Sequence, residues 1–193
     1  AQAWLFWPET NGGFMMNKAR ILVLTIIVML IGSVSIFAAS DTASHDVTMQ
    51  VNEVVLLDID DVTTMTLNTT APANGGEDVT GSTDTRLLQY TSLVAGATTR
   101  TISVSWGALD AAPAGTELKI EATGVAAGCG TAGAQITVSN VAQNIVTAIG
   151  SCATGTGASG TEVTYTLNVT DVSALDVAGD STVTITYTLT DAA

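Results

Sequence analysis

Strict alternation of apolar and polar residues in three stretches is the feature that most constrains the fold of this chain. Residues 182–190 read Thr-Val-Thr-Ile-Thr-Tyr-Thr-Leu-Thr, and residues 163–170 and 101–106 follow the same scheme. Successive side chains of a β-strand point to opposite faces, so a two-residue period predicts strands with one buried face. An amphipathic helix, which repeats every 3.6 residues, does not fit these stretches.

Shorter apolar runs predict further strands, and turn-forming segments separate them. These strands are predicted at residues 47–51, 54–59, 62–67, 86–93, 117–122, 136–139 and 144–149. The apolar positions change parity between the first two runs, which predicts a β-bulge or a switch between sheets near Glu53. Turn segments that contain glycine or proline recur at residues 72–76, 111–115, 128–133 and 155–160, and no helical period is sustained after residue 40. The sequence therefore predicts an all-β protein, an immunoglobulin-like or Greek-key β-sandwich of about 8–9 strands.

The N-terminal part has the pattern of an export signal. Lys18 and Arg20 precede an apolar run at residues 21–37, and small residues follow at Ala38, Ala39 and Ser40. This order is typical of a cleavable signal peptide with its short helix. We therefore predict an upstream or non-native segment at 1–14, a signal peptide at 15–40 and a single domain at 41–193. A retained membrane anchor stays open as the alternative, because a membrane span needs about 20 apolar residues.

Charge excludes two classes of partner. The predicted mature domain has three basic residues, Arg86, Arg100 and Lys119, against all 18 carboxylates of the chain except Glu9, so its net charge is about −14. Binding to nucleic acid or to anionic lipid depends on Lys and Arg. We therefore expect no nucleic-acid partner and, after signal cleavage, no membrane association.

The chain has two cysteines, Cys129 and Cys152, and both lie in the predicted exported domain. An even number of cysteines in an oxidising compartment predicts a disulfide, which here would close a loop of about 24 residues. Paired free thiols or metal ligands are the alternative, but no histidine lies near either cysteine and the spacing matches no zinc motif. The export signal, with which this disulfide is consistent, predicts a location in the periplasm, at the cell surface or in the medium.

Few residues suit catalysis. The single histidine, His45, lies close to the predicted mature N-terminus, which disfavours a Ser/His/Asp site. Asp58, Asp60 and Asp61 are candidate oxygen ligands for Ca²⁺, although the spacing is not that of a calcium-binding loop. Three aromatic residues, Trp106, Tyr165 and Tyr187, fall on inward-facing positions and are expected to pack in the core rather than bind sugars. We therefore predict no enzyme activity and no cofactor, with Ca²⁺ as the one candidate ion.

The predicted strands lack the usual protection against pairing with other chains. Their outward positions carry threonine, and the domain has one lysine, whereas edge strands are normally guarded by lysine, proline or charge. The terminal strands, at residues 47–51 and 182–190, are the candidates for pairing with a second copy or with another surface protein.

The signal-like segment, the opening strand around residues 45–53 and the closing strand around residues 181–191 resemble those of bacterial secreted fimbrial-like or coat-like β-sandwich proteins. This resemblance implies a non-catalytic structural or cell-surface subunit that self-assembles. A secreted module that binds glycan or Ca²⁺ through residues 58–61 and the polar loop at residues 71–85 is the alternative function.

Overall fold

The structure is a computed structural model that describes residues 42–177 and 181–192. The chain divides into two units, residues 1–49 and 50–193. In the first unit the described residues, 42–49, are exposed and have no regular secondary structure. The predicted upstream segment and signal peptide at 1–40 lie outside the described residues. Within the described part of the chain, no helix is long and apolar enough to span a membrane.

In the residues of the second unit that the structure describes, there are twelve antiparallel strands and a 3-10 turn at Val172–Ala174. Seven strands have six residues or more: β1 (Val54–Ile59), β4 (Thr83–Leu93), β5 (Arg100–Trp106), β6 (Thr116–Thr123), β9 (Gln143–Ile149), β11 (Thr161–Val169) and β12 (Ile185–Asp191). Five have two residues: β2 (Thr69–Thr70), β3 (Thr80–Gly81), β7 (Thr131–Ala132), β8 (Ile136–Thr137) and β10 (Cys152–Ala153).

Two main sheets form the β-sandwich. The larger has the strand order β1-β4-β11-β6-β8, with β10 also paired to β4, and the smaller has the order β12-β5-β9-β7. Consecutive long strands mostly cross from one sheet to the other, so neighbours within a sheet are far apart in sequence. Strands β2 and β3 form a separate two-stranded ribbon. The predicted all-β sandwich is confirmed.

The hydrophobic core lies between the two main sheets. The larger sheet contributes Leu88, Tyr90, Leu118, Ile120, Ala122, Val163 and Tyr165, and the smaller contributes Ile102, Val104, Ile145, Val146 and Ile149. The alternating stretches behave as predicted: Ile102, Val104 and Val163 are completely or almost completely buried. Trp106 and Tyr187 are partly buried against the same core. In β12, every threonine of the closing strand is exposed, as the two-residue period predicts.

Two predicted strands are not formed. Residues 47–51 have no strand pairing, and Met49 is 88% exposed. Alternation makes one face apolar, but a strand also needs a neighbour for its main-chain groups, and β1 instead starts at Val54. The predicted bulge near Glu53 is therefore absent, because residues 42–53 contain no strand.

The predicted strand at residues 62–67 is wrong because the chain bends at its start. The Asp61 carboxylate accepts a hydrogen bond from the main-chain N–H of Thr63 at 2.9 Å. Such a bond competes with the main-chain ladder of a sheet. Met65 and Leu67 still pack against the core, so the apolar pattern indicated burial correctly and secondary structure incorrectly.

An irregularity in β9 places two consecutive residues in the core. The register between β5 and β9 shifts twice, from Arg100 to Ile102 and from Ile102 to Ser103. Ile145 and Val146 are consequently both buried, which an uninterrupted strand does not allow. Ala148, in the same strand, has a φ of 55°, a left-handed conformation that is uncommon for residues other than glycine.

The predicted disulfide is present between Cys129 and Cys152, whose Cα atoms are 5.3 Å apart. Cys152 lies in β10, and Cys129 lies in the turn that precedes β7. The Tyr90 hydroxyl donates a hydrogen bond to the main-chain carbonyl of Cys129 at 2.8 Å, which ties this turn to the core. Gly130 follows directly with a φ of 119°, and a Cβ atom there would lie 2.7 Å from the carbonyl oxygen of Thr147. The disulfide therefore joins β10 to a turn that packs tightly on β9.

Replacing both Cys129 and Cys152 with alanine is expected to lower the free energy of unfolding by about 3 kcal/mol. Closing a loop of this length reduces the entropy of the unfolded chain by roughly that amount. Guanidinium unfolding of the variant should match that of the wild-type protein under strong reducing agent. An unfolding free energy within about 0.5 kcal/mol of the oxidised wild type would contradict the prediction.

Candidate functional site

The three aspartates predicted as calcium ligands make separate interactions. Asp58 accepts a hydrogen bond from the N–H of Ile59, and Asp60 accepts one from the N–H of Leu87, both at 2.8 Å. The bonds from Thr63 hold the pKa of Asp61 below its usual range. Each carboxylate thus has a local partner in or beside the strands.

The Asp61 carboxylate also faces Arg86, with 3.5 Å between the oxygen and the guanidinium nitrogen. Across residues 42–177 and 181–192, no three His, Cys, Asp or Glu side chains are grouped so that they could hold a metal ion. The geometry of residues 58–61 therefore lends the calcium prediction no support.

The predicted polar loop is shorter than the sequence indicates, because β3 and β4 begin inside it. Its tip is a turn in which Glu77 accepts hydrogen bonds from the main chain of Asn74 at 3.0 Å and from its side chain at 2.7 Å. These bonds lower the pKa of Glu77. His45 lies in the first unit and is exposed. The contacts of the loop are thus local to the turn at its tip.

The most unusual side chain is Arg100, at the start of β5, which is only 2% exposed. Its guanidinium forms ion pairs with Glu53, just before β1, and with Asp191, at the end of β12, where the nitrogen–oxygen distance is 3.1 Å. Both carboxylates are largely in solvent, at 56% and 76% exposed. Burying an arginine is costly unless its donors are satisfied, so the remaining contacts matter.

Arg100 also donates to neutral acceptors of the larger sheet. Its Nη1 donates to the carbonyl of Val54 at 2.8 Å, to the Ser92 hydroxyl at 3.1 Å and to the carbonyl of Leu93 at 3.3 Å. Arg100 itself belongs to the smaller sheet. One side chain therefore connects the two sheets at the end where β1 and β12 lie.

An open depression of about 630 Å³ lies beside this arginine. It is lined by Glu53, Val55, Arg100, Leu189, Thr190 and Asp191. The guanidinium is already paired with two carboxylates and three neutral oxygens, so it is not available to bind an anionic ligand. On one side the depression borders β12, one of the two edge strands of the smaller sheet.

A pair of tyrosines joins the sheets further along β12. The hydroxyls of Tyr165, in β11, and Tyr187, in β12, are 2.6 Å apart. Burial raises the pKa of both phenols. The inward face of β12 is thus held to the core by a hydrogen bond between two tyrosine hydroxyls as well as by apolar packing.

Strand β12 pairs with β5 on one side and forms the edge of its sheet on the other. Residues 181–190 carry no charge, no proline and no glycine. Lys119, the single lysine of the described residues, lies in β6, where its ammonium is 3.1 Å from Glu117. The seven residues of β12 therefore form an edge without the lysines, prolines or bulges that normally prevent pairing.

Sequence reasoning found this edge strand but missed Arg100. The signal was in the two-residue period: Ile102 and Val104 face inward, so Arg100 at the same parity falls on the buried face. An arginine at an inward-facing position of a strand predicts a buried side chain whose charge is paired within the protein. Its partners, which come from β1, β4 and β12, cannot be identified from the sequence.

No protein-family model matches this chain, and neither the curated proteins nor the solved structures include a match.

Proposed function

We propose that this domain is a secreted, non-catalytic structural or cell-surface subunit that joins other protein through the open edge of β12. What supports the proposal is the edge itself: a seven-residue strand in which every second residue leaves its main-chain groups unpaired, with exposed threonines and a single charge at one end. An edge of this kind is a template for strand addition, in which main-chain hydrogen bonds supply affinity.

A location outside the cytoplasm is part of the same proposal. The predicted export signal at residues 15–40 supports it, and so does the disulfide between Cys129 and Cys152, since such bonds persist in oxidising compartments. A surface subunit there gains from an edge that pairs readily and from a cross-linked core that resists unfolding.

Introducing a lysine on the outward face of β12 is expected to weaken association by up to about fivefold, because like charges on neighbouring strands are destabilising by up to about 1 kcal/mol. In Thr188→Lys the new side chain stays in solvent, but a charge on an edge strand disfavours pairing. Light scattering across a range of protein concentrations, with protein produced from the full chain, should show association of the wild type and a smaller mass for the variant.

Thr164→Lys is the matched control, because Thr164 lies on the outward face of β11 and is paired there with Thr85 of β4 and Glu121 of β6. It adds the same charge away from any edge and should leave association unchanged. A wild type that stays monomeric at every concentration would refute the proposal. A monomer that binds one glycan or Ca²⁺ tightly, with the affinity lost in Asp58→Ala, would favour the ligand-binding alternative.

A further inference from the structure

The main-chain groups of β12 alternate between its two sides. The N–H of Ala192 donates to the carbonyl of Thr99 at 2.9 Å, so these two residues form a hydrogen-bonded pair with the neighbouring strand. Hydrogen-bonded and non-hydrogen-bonded pairs alternate along an antiparallel ladder. In steps of two back from Ala192, the hydrogen-bonded positions are Thr190, Thr188 and Thr186. The main-chain groups of these threonines therefore bond to β5. The residues between them direct their N–H and C=O groups to the free edge.

The hydrogen bond of Trp106 indicates the same alternation of paired and free main-chain groups along β12. Ile185 lies opposite Trp106, and the N–H of Trp106 donates to Ser139, on the side away from β12. Ile185 is therefore in a pair that is not hydrogen-bonded to β5. Four residues present free main-chain groups at the edge: Ile185, Tyr187, Leu189 and Asp191. No hydrogen bond among residues 42–177 and 181–192 uses these groups.

We propose that the occupant of this edge is β12 of a second copy, paired antiparallel about a two-fold axis at Thr188. The inference rests on the proposed function and names its partner. A two-fold axis at this residue places Tyr187 opposite Leu189 of the other copy and Ile185 opposite Asp191. The free N–H and C=O groups of all four residues on each strand are then hydrogen-bonded to the other copy. Thr188 lies opposite Thr188 of the second copy, in a pair that is not hydrogen-bonded.

Charge supports a second copy even though the domain is strongly acidic. Asp191 is the one charged residue of β12, and it forms an ion pair with Arg100, which also pairs with Glu53. In the proposed pairing the two Asp191 residues are six positions apart along the strand, or about 20 Å at about 3.4 Å per residue. That separation exceeds the screening length of about 8 Å at physiological salt. The threonines also face threonines across the axis, a combination that stabilises neighbouring strands.

Cysteine cross-linking tests the pairing directly. Cβ atoms of directly opposed residues lie about 4.5–5.5 Å apart, so Thr188→Cys is expected to form a covalent dimer under mild oxidation. Thr186→Cys is the control on the same exposed face. Its two copies would be about 14 Å apart, four positions at about 3.4 Å, and should not cross-link. A mixture of Thr186→Cys and Thr190→Cys chains should cross-link to each other, because these positions are opposed.

The outcomes separate this inference from the proposed function. Covalent dimers of Thr188→Cys, but not of Thr186→Cys, on a non-reducing gel of protein from the full chain would support the two-fold pairing. If the Thr188→Lys variant associates less than the wild type but Thr188→Cys chains fail to cross-link, the two-fold pairing is wrong and association through the edge stands. Open-ended polymers in light scattering would likewise contradict the two-fold pairing and leave edge association standing. A wild type that is monomeric at all concentrations would overturn both.

Discussion

Replacing Arg100 with methionine is expected to lower the free energy of unfolding by about 3 kcal/mol or more. Methionine keeps much of the side-chain length but donates no hydrogen bond. The buried hydroxyl of Ser92 would lose its donor. The carbonyls of Val54 and Leu93, which also accept main-chain bonds in the β1–β4 ladder, would each lose one of two donors. Hydrogen bonds to a charged group contribute about 1.5–3 kcal/mol each.

The carboxylate partners should matter much less. Glu53→Gln and Asp191→Asn each leave Arg100 hydrogen-bonded to the larger sheet, and both acids are mostly in solvent. Exposed ion pairs contribute about 0–1 kcal/mol, so each variant should lose less than about 1 kcal/mol in urea unfolding. If either carboxylate variant lost as much stability as Arg100→Met, the ion pairs rather than the anchoring of β1 and β4 would be the main contribution.

Raising the pH above about 10 is expected to unfold the domain through its tyrosines. Burial raises the pKa of Tyr90, Tyr165 and Tyr187 above the value of about 10 for an exposed phenol. The folded state therefore holds its phenolic protons at a pH at which the unfolded chain releases them. Their contribution is fully present below about pH 10 and is lost as pH rises toward the folded-state pKa. Each such tyrosine lowers stability by up to about 1.4 kcal/mol per pH unit.

The neighbours of the tyrosines indicate which variants test this effect. Tyr187 faces Tyr165, and the charges acting on Tyr165 are those of Arg86, which lowers its pKa, and Asp60, which raises it. Replacing Tyr165 and Tyr187 together by phenylalanine removes both hydroxyls of the pair, so that neither is left alone in the core. Urea unfolding between about pH 8 and pH 12 should then show a shallower decline for this variant than for the wild type. Equal slopes would contradict the assignment.

The buried face of the alternating strands and the disulfide were predictable from the sequence. A two-residue period depends on local geometry, so it identified which side of β5, β11 and β12 is buried. The even cysteine count led to the pair Cys129 and Cys152. The three aspartates were predicted as a group, yet the bonds of Asp58, Asp60 and Asp61 to nearby N–H groups give each a separate partner. Proximity in sequence did not reveal this, because hydrogen bonds to the main chain depend on the local turn geometry.

Only the tertiary structure decided which strands are neighbours and which apolar segments remain unpaired. Alternation specifies a face but not a partner, so residues 47–51 and 62–67 resembled strands although no neighbouring strand pairs with them. The pairing of β4 with β11 and of β5 with β12 joins segments about 80 residues apart, and core packing selects it. The same folding brings Glu53, Ser92 and Asp191 around Arg100. The sequence determined that the outward face of β12 carries threonine rather than lysine or proline. The position of β12 at the end of its sheet made it an open edge.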